Sequence, residues 1–115
     1  MKKKNIIKKS YEITKIINFR QSKKNNYYSI YYLNNQRKYN CYGITIPKKI
    51  GIAVVRNKLK RQIKNIIDNN QLSIQTPYDY VIIVRNNILN LDYKEKEKEL
   101  ISLLKEIGEK NEKKN

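Results

Sequence analysis

Hydrophobic residues recur at helical spacing in three parts of the chain. In the first, Ile13, Ile16 and Ile17 fall on one side of a short helix, which is predicted to begin with Ser10 as its N-cap and to end near residue 18. The second helix is predicted to run from about residue 53 to 69, with an apolar stripe formed by Val55, Leu59, Ile63 and Ile66. Both helices are amphipathic, so each needs another apolar surface to pack against.

The third helix lies near the carboxyl end of the chain. Asp92 and Glu95 have the spacing of a capping box, which marks its start, and Gly108 is predicted to end it. The predicted buried stripe consists of Leu100, Leu103, Leu104 and Ile107. Residues 108–115 are then expected to form a solvated tail, and residues 1–9 a basic, flexible arm.

Three further segments have the apolar patterns of strands. Residues 27–33 and 41–46 alternate on either side of a polar turn, so they are predicted to pair as a hairpin. Residues 80–84 are apolar without interruption, which is typical of a central strand covered on both faces. The predicted core face of the hairpin consists of Tyr28, Ile30, Tyr32, Tyr42, Ile44 and Ile46. The opposite, wetter face consists of Tyr27, Ser29, Tyr31, Cys41, Gly43 and Thr45.

These elements follow one another in the order α-β-β-α-β-α. A chain of 115 residues has the length of a single domain with one modest core. The order of elements predicts a small α+β fold, in which the helices pack on a single sheet.

Charge is distributed unevenly along the chain, whose formal net charge is +16. Residues 1–64 contain 18 basic residues and one acidic residue, whereas residues 65–115 contain 8 and 9. This excess favours nucleic acid or an anionic membrane surface as a partner. No apolar run is long enough to span a membrane, and the amino terminus lacks the apolar core of a signal peptide. The protein is therefore predicted to be cytoplasmic.

The composition disfavours several chemistries. The chain has no histidine and a single cysteine, Cys41, so neither a zinc site nor an internal disulfide is expected. Without histidine, the commonest general base near neutral pH is missing, and Cys41 has no imidazole to activate it. A protein-based nucleophilic enzyme is therefore disfavoured.

The second helix carries basic side chains opposite its apolar stripe. Arg56, Lys60 and Lys64 are four residues apart, so their side chains form a line, which we call the basic ridge. Asn57 and Arg61 lie beside it. Guanidinium groups hold phosphate through two donors, whereas ammonium groups act as point charges. The basic ridge is therefore a candidate phosphate-binding surface; the plainer interpretation is an ordinary solvated helix face.

The segment KKIGIAVVRNKLKRQIK resembles the signature of the protein subunit of bacterial ribonuclease P. That signature is a lysine pair, a glycine, an Ala-Val step and a helix centred on Arg-Asn-Arg, where this chain has Arg56, Asn57 and Lys58. The resemblance extends to the lysine-rich start, to residues 19–22 and to the segment DYVIIVR. It implies a ribosomal protein S5 domain 2-like fold with a left-handed β-α-β crossover, the opposite of the usual hand.

The resemblance also implies a function. A protein of this family binds a large catalytic RNA, which cleaves the 5′ leader from precursor tRNA with Mg²⁺, so the protein itself supplies no catalytic residue and holds no metal. The residues that match the family's RNA-binding signature are Lys48, Lys49, Arg56, Asn57, Lys58, Lys60, Arg61 and Lys64. Asn57 is expected to lie near a metal ion bound by the RNA.

The family's leader-binding cleft lies between the first helix and the outer face of the sheet. The matching positions here are Ile13, Ile17, Ser29 and Tyr31, and strand alternation adds Tyr27. A tyrosine ring stacks on a base of any identity, which suits a leader whose sequence varies. Because Ile13 and Ile17 replace residues that are often phenylalanine in the family, the tyrosines are expected to provide more of the contact.

Two other functions fit the same charge. A non-catalytic RNA-binding protein of ribosomal-protein type would bind RNA without affecting tRNA maturation. A membrane-surface or general polyanion binder would bind anionic lipid and unrelated RNA with similar affinity.

Overall fold

The computed structural model describes the backbone of residues 1–114 and the side chains of residues 1–107. Within these residues, a four-stranded sheet packs with three α-helices, which are α1 (Ser10–Asn18), α2 (Ala53–Asn69) and α3 (Tyr93–Lys114). The strands are β1 (Ser22–Lys24), β2 (Tyr28–Asn34), β3 (Cys41–Thr45) and β4 (Tyr78–Val84). The predicted α+β fold is confirmed, and the short strand β1 is an addition to the predicted order.

The strand order in the sheet is β1-β2-β4-β3. The predicted hairpin between β2 and β3 is therefore wrong, because β4 lies between them, antiparallel to β2 and parallel to β3. A strand that is apolar on both faces belongs in the middle of a sheet, and β4 has that pattern. The β3-α2-β4 connection joins two parallel neighbours. Its left-handed sense, which the resemblance implies, stays a prediction.

One face of the sheet is buried beneath α2 and α3, and we call it the covered face. Its side chains are Tyr28, Ile30, Tyr32, Tyr42, Tyr80 and Ile82, all at most 2% exposed. Two of the tyrosine hydroxyl groups donate to backbone carbonyls, Tyr28 to that of Lys96 at 3.0 Å and Tyr80 to that of Gln75 at 2.8 Å. The assignment of these β2 and β3 tyrosines to the core is confirmed, whereas Ile44 and Ile46 are only half-buried.

The two long helices largely match their predicted patterns. α2 has the expected bounds, and its buried residues are Leu59, Ile63, Ile66 and Ile67, while Val55 is half-buried. α3 begins with the predicted capping box, because the Asp92 N–H donates to Glu95 Oε1 at 3.0 Å and the Glu95 N–H donates to Asp92 Oδ1 at 2.8 Å. Its predicted stripe, Leu100, Leu103, Leu104 and Ile107, is buried.

The predicted end of α3 at Gly108 is wrong, because the helix continues to Lys114. A glycine inside a helix costs only about 1 kcal/mol relative to alanine, and the following Glu and Lys residues favour helix. The predicted solvation of residues 108–115 concerns side chains outside the described residues.

The N-terminal segment, residues 1–9, is not the flexible arm expected from its charge. Ile6 pairs with Tyr42 beside β3, and the Ile7 N–H donates to the Tyr42 carbonyl at 2.9 Å. Ile7 is buried, and the Asn5 side chain donates to the Asn40 carbonyl at 2.7 Å. The segment docks because its two isoleucines meet the otherwise open edge of β3.

Helix α1 begins one residue earlier than its predicted cap implies. Lys9, rather than Ser10, is the N-cap residue, and its carbonyl accepts from the N–H groups of Glu12 and Ile13 at 3.1 and 3.3 Å. At the other end, α1 stops at Asn18 as predicted. Arg20 follows with a φ of 61°, the left-handed conformation that lets the chain turn towards β1.

Candidate nucleic-acid interface

The basic ridge lies on the solvent side of α2. Lys60 is exposed, whereas Arg56 and Lys64 are half-buried at its two ends. Asn57, Lys58 and Arg61 are exposed beside the ridge. Arg56 Nε donates to the Gly51 carbonyl at 3.1 Å, which fixes the guanidinium and leaves its other N–H groups for a ligand. The ion pairs found among residues 1–107 involve none of these cations, so the ridge keeps its charge.

The lysine pair precedes this helix in a short turn. Lys48 and Lys49 lie in the 3₁₀ turn Lys48–Ile50, and both side chains are exposed. Ile50 is buried in the core and anchors the turn. The eight residues of the predicted RNA-binding set therefore lie on α2 and the turn that leads into it.

The second face of the sheet is only partly covered, and we call it the half-covered face. Its residues are Ser29, Tyr31, Leu33, Cys41, Gly43, Thr45, Asp79, Val81 and Ile83. α1 packs across it through Ile13, Ile16 and Ile17. A Cβ on Gly43 would lie 3.4 Å from Ile13 Cγ1, so α1 approaches the sheet closely at this point.

Four of the five predicted leader-binding residues lie on or against this face. Ile13, Ile17 and Tyr31 belong to one apolar cluster around buried Val81, which lies opposite Tyr31 on β4. Ser29 lies one row further along β2 and is half-buried. Their arrangement is consistent with a cleft beside α1, whereas their role in binding a leader stays a prediction.

Tyr27 does not belong with this group. It precedes β2 and packs against the main core on the covered side, so its predicted place on the same face as Tyr31 is wrong. Alternation holds only within a strand, and Tyr27 is in the turn where the Asn25 side chain accepts from its N–H at 2.8 Å.

The exposed row of the half-covered face includes two residues that were not among the predicted site residues. Ile83 on β4 lies directly opposite Ser29 on β2 and Thr45 on β3. These three residues form the row next to the one made by Tyr31, Val81 and Gly43. Ile83 is half-buried and Thr45 is exposed. Thr45 was predicted to share the wetter face with Ser29. Ile83 could not be placed beside Ser29 from the sequence, because the predicted hairpin paired β2 directly with β3 and left no place for β4 between them.

This row leads to a polar pocket of about 370 Å³ at the carboxyl ends of β3 and β4. The pocket is lined by Asn26, Pro47, Lys49, Ile83, Val84, Arg85, Asn86 and Asn87. Arg85 Nη1 donates to the Asn25 carbonyl at 3.0 Å, which holds its guanidinium at the rim. Arg85 was not among the predicted site residues. The parallel pairing of β3 and β4, which brings Arg85 close to Lys49, was the missing signal.

The cysteine and acidic side chains of the described residues are not gathered into one site. Among them, no three His, Cys, Asp or Glu side chains are grouped closely enough to hold a metal ion. Burial raises the pKa of the Cys41 thiol, whose Sγ donates to the Lys4 carbonyl at 3.2 Å, so its thiolate is scarce at neutral pH. The described helices include none with the length and apolar character of a membrane span.

An exposed basic helix beside a half-covered apolar sheet face defines the chain as a nucleic-acid-binding α+β domain. The family model described as Ribonuclease P matches residues 1–108. The chain belongs to the ribonuclease P protein family, and its function is that of a protein subunit in this tRNA-processing ribonucleoprotein.

Curated relatives match over most of their length. The ribonuclease P protein component of Mycoplasma mycoides subsp. mycoides is 48% identical over 108 residues, which cover 93% of this chain and 99% of the relative. The ribonuclease P protein component of Streptococcus gordonii is 38% identical and covers 91% of this chain and 87% of its own.

Solved structures of the same family share the fold. The Staphylococcus aureus RNase P protein superposes with a TM-score of 0.81 at 28% identity, covering 88% of this chain and 93% of its own. The Thermotoga maritima RNase P protein gives a TM-score of 0.81 at 28% identity, with 87% and 94% covered.

Proposed function

We propose that this subunit binds the catalytic RNA of ribonuclease P through α2, and that the RNA carries the cleavage chemistry. The observation that carries this proposal is the basic ridge, a line of cations that no acidic side chain of residues 1–107 neutralises. Each phosphate bound there releases condensed counterions, which favours association. A chain without histidine also has few groups suited to general acid–base catalysis.

We also propose that the half-covered face binds the 5′ leader of precursor tRNA beside α1. Tyr31, Ile13 and Ile17 offer apolar surface that remains partly exposed, and Ser29 and Ile83 extend it. Base stacking on Tyr31 needs no particular sequence, as a variable leader requires. Arg85 in the neighbouring pocket would hold leader phosphates where the row ends, while Lys49 at the edge of that pocket remains in the set matched to the catalytic RNA.

In this proposal Mg²⁺ is bound by the RNA, and the protein acts through phosphate contacts. Asn57 is exposed on α2, and its amide oxygen is a hard donor that suits an ion already held by RNA phosphates. We propose that the protein acts in the cytoplasm, where precursor tRNA is processed.

A cleavage assay tests the proposal. Cleavage of precursor tRNA by the cognate catalytic RNA is measured at low Mg²⁺, with and without the protein. The affinities for precursor tRNA and for a leaderless analogue are measured under the same conditions. The protein should increase cleavage of the leader-bearing substrate and should increase affinity for it more than for the analogue. Absence of any enhancement would reject the function. Enhancement without leader preference would reject the leader-binding face alone.

The basic ridge has its own test. In Lys60→Ala combined with Arg61→Ala, two cations are lost, so the slope of log affinity against log salt should fall by roughly 0.7–0.9 for each phosphate contact. The measurement is binding to the catalytic RNA across a salt series. Lys98→Ala with Lys105→Ala removes the same charge from exposed positions on α3 and should change the slope little. Equal slopes for the two variants would mean that only net charge matters.

A further inference from the structure

Lys96 lies at a position where the pattern of α3 predicts an apolar side chain. It precedes Leu100 by one helical turn on the buried stripe, and only 8% of its surface is exposed. Among residues 1–107 it is the one charged residue that is buried. A buried ammonium group destabilises a fold unless polar or negative groups replace the water it has lost. The partners of Lys96 therefore need to be identified.

The protein gives this ammonium group an amide acceptor and no carboxylate. Lys96 Nζ donates to Gln62 Oε1 on α2 at 2.9 Å. The ion pairs found among residues 1–107 do not include Lys96. An ammonium group has three N–H donors, so the others have no acceptor among the described residues.

The acidic residues closest in sequence to Lys96 are engaged elsewhere. The carboxylates of Asp92 and Glu95 accept backbone N–H groups in the capping box. The carboxylate of Glu97 accepts from the Asn70 side chain at 2.9 Å. Each of them has another hydrogen-bond donor, and none forms an ion pair with Lys96.

A second cation lies near the same point. Lys58 is one helical turn before Gln62 on α2, and its side chain is exposed. Burial lowers the pKa of Lys96, the charge of Lys58 lowers it further, and Asp92 opposes both. Two ammonium groups without a carboxylate between them repel each other, and an anion held by both would remove the repulsion. We call the site formed by Lys58, Gln62 and Lys96 the helix seam.

We propose that the helix seam binds one phosphate group, held by the ammonium groups of Lys58 and Lys96, while Gln62 keeps the Lys96 ammonium in place. Phosphate oxygens accept several charge-assisted hydrogen bonds, so they suit two ammonium groups that lack a carboxylate. Two sources supply this chemistry, the backbone of the catalytic RNA and free inorganic phosphate. A phosphate of the RNA rests on the proposed function, whereas a free phosphate does not.

The first measurement uses inorganic phosphate as the probe. It is titrated at constant ionic strength into isotope-labelled protein, and NMR follows the side-chain amide signal of Gln62, which reports on the helix seam. The signal should shift and saturate in the unaltered protein and in Lys98→Met, which removes an exposed ammonium group from the same helix. In Lys96→Met the dissociation constant should rise about tenfold or more, as expected for one lost hydrogen bond between charged groups.

Two controls separate binding from folding. Methionine fills similar space and has no charge to bury, so Lys96→Met should unfold in urea at no lower midpoint than the unaltered protein in chloride. Lys58→Met changes a side chain that is exposed and should weaken phosphate binding in the same way. A purely structural role for Lys96 would instead lower the urea midpoint and leave the response of Gln62 to phosphate intact.

The second measurement identifies the source of the phosphate. Binding to the catalytic RNA is followed across a series of chloride concentrations. If the RNA supplies the phosphate, Lys96→Met should lower the slope of log affinity against log salt by roughly 0.7–0.9, the value for one phosphate contact, and Lys98→Met should not. An unchanged slope, together with weaker binding of inorganic phosphate, would assign the site to free phosphate.

Two results would overturn the helix seam as a site. One is a Gln62 signal that does not respond to phosphate, together with equal RNA-binding slopes in Lys96→Met and Lys98→Met. The other is a response of Gln62 to phosphate that is the same with and without the Lys96 ammonium. In either case the ammonium is only the solvated end of a side chain whose stem covers the core. If the unaltered protein does not bind the catalytic RNA, the proposed function fails, and the phosphate titration still decides the site.

Discussion

The two faces of the sheet differ in how completely they are covered. On the covered face, α2 and α3 leave Tyr28, Ile30 and Ile82 with no exposed surface. On the half-covered face, α1 buries Val81, while Tyr31 and Ile83 keep part of their surface. Burial of apolar surface contributes roughly 25 cal/mol per Å² to stability. The covered face therefore provides most of the stability, and the half-covered face retains apolar surface that a ligand can bury.

The largest effect should come from a matched pair of isoleucines. Ile63→Ala creates a cavity under the covered face and should lower the free energy of unfolding by about 2–5 kcal/mol. Ile17→Ala makes the same chemical change where the side chain is only half-buried, so it should lose less. Urea unfolding at one pH measures both. Similar losses would mean that the two faces contribute alike to stability.

Alkaline pH should act mainly on the covered face. Burial raises the pKa of Tyr42 to about 12 and also raises the pKa of Tyr28 and Tyr80. Because the pKa is higher in the folded state than the unfolded value of about 10, the contribution of the un-ionised tyrosine to the free energy of unfolding is complete below pH 10. It is lost as the pH rises towards 12. Each pKa unit corresponds to about 1.4 kcal/mol.

Tyr42→Phe tests this pH dependence. The variant should be slightly less stable at neutral pH, because the Asn40 side chain then loses the hydroxyl to which it donates at 3.2 Å. Above pH 10 its stability should fall less steeply than that of the unaltered protein. Tyr11→Phe, which removes an exposed hydroxyl, is the control. Parallel curves for all three proteins would contradict the buried, un-ionised state of Tyr42.

The smallest effect concerns the turn after α1. Arg20 has a φ of 61°, where a Cβ costs about 1–2 kcal/mol. Arg20→Gly and Arg20→Ala remove the same charge, but only glycine removes the Cβ. The glycine variant should therefore be more stable than the alanine variant by about 1 kcal/mol in thermal unfolding. Equal stability would show that the turn relaxes without cost.

Features with a local pattern were predicted well from the sequence. The bounds of α2, its buried stripe and the capping box of α3 depend on residues three or four positions apart. Alternation within β2 and β3 likewise identified the core tyrosines. The basic ridge could be predicted for the same reason, since helical spacing alone places Arg56, Lys60 and Lys64 in line.

Features that depend on distant partners were not predicted. The alternation of β2 and β3 is the same whether they pair with each other or with β4, so it could not exclude the hairpin. The lysines of the N-terminal segment predicted a flexible arm in solvent, whereas Ile6 and Ile7 dock the segment on β3. The contribution of Ile83 and Arg85 to the candidate site could only be found once β4 was placed between β2 and β3.

The separation of leader binding from assembly is tested most directly by one comparison in the assembled ribonucleoprotein. The affinity for leader-bearing precursor tRNA is measured relative to that for a leaderless analogue, with the unaltered protein, Tyr31→Ala and Lys60→Ala. Tyr31→Ala should lose about 1–3 kcal/mol of the leader's contribution, as expected for one stacked base, while the leaderless affinity stays unchanged. Lys60→Ala should weaken assembly with the catalytic RNA and keep the leader's contribution once assembled. Equal losses for both substrates in Tyr31→Ala would contradict the assignment of the half-covered face to the leader.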